Sequence, residues 1–152
     1  MNINKYTEKA QEAVVAAQHV AEQLNHAQLE PEHLLLALVE QQDGIVPAVL
    51  RKMGVEPKPL ADQLRADLSK QPAAYGGSQP ALSPRLRKVT DAAEAEATRL
   101  KDDFVSTEHL LLAIVSEGGR AVSARVLEQH GITKDRIFEV LTQLWGAQRV
   151  TD

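Results

Sequence analysis

At 152 residues and a formal charge of −4, the chain fits one domain that buries enough surface to need no covalent staple, and no basic stripe advertises nucleic acid or an anionic membrane. It has no cysteine, which excludes disulfides and cysteine-based zinc sites and suits a reducing cytoplasm. The only aromatic residues are Tyr6, Tyr75, Phe104, Phe138 and Trp145, too few for a base-stacking surface, and the longest apolar stretch, Leu34 to Val39, is far short of a membrane span.

The opening residues Met1-Asn2-Ile3-Asn4-Lys5 begin no apolar run, so no secretory signal is expected. A first helix is predicted over about 7–25, where Ala10, Ala13, Ala17, Ala21 and Leu24 form one stripe of a 3.6-residue period. Alanine on that stripe lets a partner helix approach closely. A second, short helix opens at Glu30-Pro31-Glu32. Its Leu-rich body is apolar nearly all round, which places it at a centre. A third follows near 46–53 and ends at Gly54, where a left-handed residue commonly closes a helix. The fourth starts near Pro57 and carries Leu60, Leu64 and Leu68. Gln71 to Pro80 then has turn and linker composition.

From here the chain repeats itself. Glu32-His33-Leu34-Leu35-Leu36-Ala37-Leu38-Val39 returns 76 positions later as Glu108-His109-Leu110-Leu111-Leu112-Ala113-Ile114-Val115. The first-helix stripe returns as Leu86, Val89, Ala93, Ala97 and Leu100, in a helix over about 83–101 that Ser83 can cap and Pro84 can open. Ser106-Thr107-Glu108 opens the second helix of the new copy. After one residue gained near Gly118-Gly119-Arg120, a third helix near 121–130 ends at Gly131. The fourth starts near Thr133 with Ile137, Leu141 and Trp145 in place of Leu60, Leu64 and Leu68. Two copies of this length are too few and too long for a solenoid. The expectation is an all-α domain of two tandem four-helix repeats, about 6–70 and 82–147, related by a pseudo-two-fold axis. A linker covers 71–81, 148–152 begins a second linker, and no strand is predicted.

The double repeat, the opening Tyr6-Thr7-Glu8-Lys9-Ala10-Gln11 and the paired Pro/Thr-Glu-His-Leu-Leu-Leu-Ala signatures resemble the N-terminal Clp repeat domain, which precedes the ATPase rings of the Clp/HSP100 unfoldases. The resemblance covers essentially the whole chain. Pro31-Glu32-His33 and the closing Gly146-Ala147-Gln148-Arg149-Val150-Thr151-Asp152 are most similar to the ClpB-type disaggregases. ClpC-type relatives usually carry Thr-Glu-His in both copies, and here only Thr107-Glu108-His109 matches. None of the eight glycines is followed by lysine, so a phosphate-cradling loop is missing and the chain itself is not expected to be an enzyme or to hold a cofactor. The resemblance implies a hexameric parent whose further modules use ATP and magnesium.

Glu32 and Glu108 lie in the first turn of the short helices, where a carboxylate faces the positive helix end. The repeat also sets them symmetrically, able to receive basic groups. His33 and His109 lack the two-histidine zincin spacing and read as structural histidines that donate to a neighbouring carbonyl or carboxylate, and no metal is expected. His19, His26 and His33, seven apart, belong to two helices and a loop. Thr7 reads as a helix cap, Trp145 as core, and Tyr6, Ile3 and Phe104 as packing residues that together border an apolar groove. The resemblance adds client contact at Thr7, Asp102 and Glu108, with Glu32, Tyr6 and Phe104 as further candidates. It implies a docking module for exposed apolar segments of unfolded or aggregated proteins, with a co-chaperone or adaptor as a further partner; with no long heptad seam the chain alone is expected to be a monomer, and the lack of cysteine points to the cytoplasm. The alternative it leaves open is a ClpC/ClpA-type module that binds an adaptor or phosphoarginine-marked clients. Enzymatic acid–base work by the Glu-His pairs lacks a nucleophile and a metal set.

Overall fold

Eight α-helices follow one another in the order that the repeat predicts, in a computed structural model that describes residues 1–76 and 79–149. After a 3-10 turn at Ile3–Lys5, copy one contains α1 (Glu8–Gln23), α2 (Pro31–Glu40), α3 (Ile45–Lys52) and α4 (Pro57–Ser69). Copy two contains α5 (Pro84–Arg99), α6 (Thr107–Glu117), α7 (Val122–Gln129) and α8 (Lys134–Arg149). Helix α8 therefore takes in the first residues of the expected closing linker, and 150–152 lie outside the described residues, as do 77–78 of the central linker.

Local chemistry fixes the helix ends. Thr7 Oγ1 accepts the Ala10 N–H and Ser83 Oγ the Leu86 N–H, so both first helices are capped at the same repeat position. They end two residues earlier than predicted because Asn25 and Lys101 take positive φ, 57° and 60°. The His26 N–H then bonds the Ala21 carbonyl and the Asp102 N–H bonds the Ala97 carbonyl, a left-handed closure that turns His26 and Asp102 back toward the next helix. Gly54 and Gly131 close α3 and α7 in the same way, at φ 81° and 71°.

The core sits around α2 and α6. Every residue of α2 from Pro31 to Val39 is buried, and Leu110 to Ile114 are buried in α6. Ala10, Ala13, Ala17 and Ala21 lie against α2, and Ala93 and Ala97 serve the α5–α6 pair. Helix α3 also packs on α6 and α7 on α2, so the copies share one core. Trp145 is partly buried against that core.

Two short strands correct the strand-free expectation. β1 (Gln28–Leu29) pairs in parallel with β2 (Ala81–Leu82), and Tyr6 bridges Val105. Leu29 and Val105 are repeat mates, as are Tyr6 and Leu82, so each copy gives the other the same contact it receives. Two residues per strand carry no period-two pattern, which is why the sequence hides them.

Candidate functional site

The Glu-His signature builds two similar frames. At the start of α2, His33 Nδ1 accepts the Glu30 N–H at 2.9 Å, and at the start of α6, His109 Nδ1 accepts the Ser106 N–H at 2.9 Å. Each ring thereby ties up a free N–H of the helix N-terminus. With Nδ1 accepting, the proton sits on Nε2, which points at the residue delivered by the left-handed closure. His109 donates to the Asp102 carboxylate at 2.9 Å, as expected of a structural histidine. In copy one the partner is instead His26, whose Nδ1 lies 2.8 Å from His33 Nε2 and whose ring bonds the Leu68 carbonyl. Assigning His26 to a separate loop missed this pair. Burial, with the neighbouring His26, pushes His33 down to about 4, and burial lowers His26 as well.

The two motif carboxylates are not equivalent. Glu32 is 6% exposed and filled from within. Arg85 places Nη1 and Nη2 on its two oxygens at 3.2 and 2.9 Å, and the Ser123 N–H at the start of α7 adds a third bond at 3.0 Å. The same guanidinium holds Glu117 through Nε and Nη2 at 2.7 and 2.9 Å. Burial raises the Glu32 carboxyl, but Arg85 and the Ser123 N–H outweigh it and leave the group below the usual carboxylate range. Arg85 itself is held charged by Glu117 and Glu32.

Glu108 is half-buried and makes no ion pair among the described residues; Thr107 Oγ1 donates to it at 3.4 Å. It lines a cleft of about 420 Å³ with Thr7, Glu8, Lys9, Asp43, Gly44, Ile45, Ser106 and Thr107. The Tyr6–Val105 bridge sets one wall of this cleft, because the Thr7 N–H bonds the Val105 carbonyl at 2.9 Å and the Val105 N–H bonds the Lys5 carbonyl at 2.8 Å. Phe104, one residue along, is 52% exposed.

Of the residues singled out from sequence, the fold brings Thr7 and Glu108 to one cleft and leaves Phe104 presented at its bridge. Asp102 is held on His109 behind the start of α6. Tyr6 is core, 2% exposed, with its hydroxyl 3.4 Å from Glu94, so its ring borders no open groove. Burial and Glu94 raise its phenol above the usual range. Glu32 lies on the far frame, under Arg85. Sequence reasoning missed Arg85, Glu117 and Ser123. The signal was present: Arg85 stands where copy one has Lys9, and Glu117 where it has Gln41. No cluster of three metal-ligating side chains occurs among the described residues, and no described helix is long and apolar enough to cross a membrane.

The Clp repeat (R) N-terminal domain family matches residues 5–130. The chain is 37% identical over 155 residues to a chaperone protein ClpB of Nitratidesulfovibrio vulgaris, covering 99% of this chain and 18% of that one. A ClpB of Bdellovibrio bacteriovorus is 40% identical over 147 residues, covering 96% of this chain and 17% of the relative. Among solved structures, the Hsp104 N-terminal domain from Candida albicans superposes with a TM-score of 0.82 at 22% identity, covering 95% of this chain and 93% of that one. The chain thus spans under a fifth of the length of the curated relatives it matches.

Proposed function

The chain belongs to the Clp repeat N-terminal domain family, with ClpB-type relatives along its whole length, and from that premise we propose that it is the client-docking module of a disaggregating chaperone. In this reading it holds exposed apolar segments of unfolded or aggregated proteins and passes them to an ATPase ring outside this chain. ATP, magnesium and the hexameric ring belong to that remainder, and a reducing cytoplasm fits the absence of cysteine.

The carrying observation is the open Thr7–Glu108 cleft, walled on one side by the Tyr6–Val105 bridge that exposed Phe104 precedes. A client that buries about 400 Å² of apolar surface gains roughly 10 kcal/mol at ~25 cal/mol/Å². Association costs an estimated 4–15 kcal/mol, so one domain binds weakly. Weak docking suits a motor that must remove the client, and six tethered copies restore avidity.

The test is an amide NMR titration of the 152-residue chain with an unfolded, unmodified protein, then with free phosphoarginine. Saturable, salt-tolerant shifts around Thr7, Phe104 and Glu108, with no response to phosphoarginine, support this reading. No shift at high client concentration sinks it, and a phosphoarginine response at Glu32 and Glu108 moves the function to the ClpC/ClpA-type alternative.

A further inference from the structure

The two copies differ in what answers the motif histidine, and only copy one answers it with a second titratable ring. His26 and His33 are 8% and 1% exposed, and His26 Nδ1 lies 2.8 Å from His33 Nε2. Their hydrogen bonds run in one direction. The Glu30 N–H donates to His33 Nδ1, the His33 Nε2–H donates to His26 Nδ1, and the remaining His26 Nε2–H serves the Leu68 carbonyl. Each ring therefore holds one proton and has no acceptor for another. A second proton on His26 Nδ1 would face the His33 Nε2–H, and one on His33 Nδ1 would face the Glu30 N–H. In copy two, a second proton on His109 Nδ1 would meet the Ser106 hydroxyl oxygen at 2.9 Å, with the Asp102 carboxylate on the other side of the ring.

The proton chain of copy one ends where the central linker leaves α4. The Leu68 carbonyl also accepts the Gln71 N–H at 3.1 Å, and the Ala74 N–H donates to the Asn25 carbonyl at 2.6 Å. Gln71 to Ala74 is thus tied down on both sides of His26. That ring lines a cavity of about 250 Å³ together with Gln71 and Pro72, and another of about 320 Å³ together with Ala74. Copy two has no such segment, because Trp145, the mate of Leu68, lies within α8.

We infer that the His26–His33 pair is an acid-operated catch on the segment from Gln71 to Ala74, closed while each ring holds one proton and open once either holds two. Opening frees the linker at its α4 end and leaves the frame of copy two in place. The charged and titratable groups around the pair are Glu30 and Glu32 at the start of α2, Arg85 on α5 and Glu22 near the end of α1. Helix α4 and the linker segment bring no charged side chain to either cavity. Glu32 is already held by Arg85, and two charged rings with centroids 5.0 Å apart repel. Burial lowers the proton affinity of both rings, so the catch is closed at neutral pH and opens as pH falls toward the His33 value of about 4. This device does not depend on the docking role.

The experiment is NMR on the whole chain from about pH 7 to about pH 4, following the ring nitrogens of both histidines and amide hydrogen exchange. At neutral pH both rings should show the Nε2–H form. On acidification, their second protonation should coincide with a loss of protection at Ala74 of at least about tenfold, after correction for intrinsic exchange. Val105, whose N–H bonds the Lys5 carbonyl, should keep its protection. His26→Gln offers His33 an acceptor and Leu68 a donor without a second titrating ring, and should hold Ala74 closed to lower pH. Ring protonation that leaves Ala74 protected would overturn the catch. So would loss of Ala74 and Val105 together, which is global unfolding, or an Nδ1–H form of either ring at neutral pH.

Discussion

A buried carboxylate keeps its charge only when other groups replace the water it has lost. Glu32 does so through Arg85 and the Ser123 N–H, which is why its proton affinity falls despite burial. Removing one partner of a fully buried pair costs about 3–5 kcal/mol. Arg85 is 39% exposed, so Arg85→Met is expected to cost about 2 kcal/mol in urea unfolding, on the same principle scaled down for solvent access. A change indistinguishable from zero would show that Glu32 is hydrated. His33 runs the opposite chemistry. Its folded pKa near 4 lies below the usual 6.5, so its contribution is complete above pH 6.5 and drains away as pH falls toward 4. Stability should therefore drop between those values by a few kcal/mol, on the order of 1.4 kcal/mol per pH unit, and His33→Gln should flatten the drop. The Glu30 and Glu32 carboxylates, which favour the charged rings, reduce the effect without cancelling it. The motif itself, and the helix start it marks, was legible because capping is local. The Arg85–Glu32 pair was not, since the two are 53 residues apart and only folding brings them together.

Elements were legible where one residue type decides the backbone. Alanine at four of the five stripe positions of the first helix announces close packing, and Gly54 and Gly131 announce helix ends. Asn25 and Lys101 make the same left-handed turn without glycine, so the first helices read two residues too long. The stripe also makes a prediction. Ala13 and Ala17 are buried in a helix that packs on α2. Ala17→Leu should cost about 1–3 kcal/mol by overpacking, seen as a lowered thermal midpoint. Val15→Leu, on the exposed face of the same helix, should stay within about 0.5 kcal/mol. Equal effects at the two positions would mean that the stripe is not where the helix packs.

At the scale of the molecule, the repeats are interdependent. Each sends one residue pair into the other, Leu29 to Leu82 and Val105 to Tyr6, and the central helices α2 and α6 are apolar nearly all round. A lone copy would leave part of its Leu-rich helix facing water, with the inner ends of α3 or α7 unpacked. Half of this chain is also in the size range where one core is marginal. The repeat in the sequence announces two similar units but says nothing of whether they fold separately, because the crossed contacts join residues far apart along the chain. The whole domain should unfold in one transition by circular dichroism and by Trp145 fluorescence. Peptides 1–76 and 79–152 should each show little helix when alone and regain it on mixing. A stable, helical 1–76 would show that the copies are independent halves in contact, joined across α2–α6, α3–α6 and α4–α7.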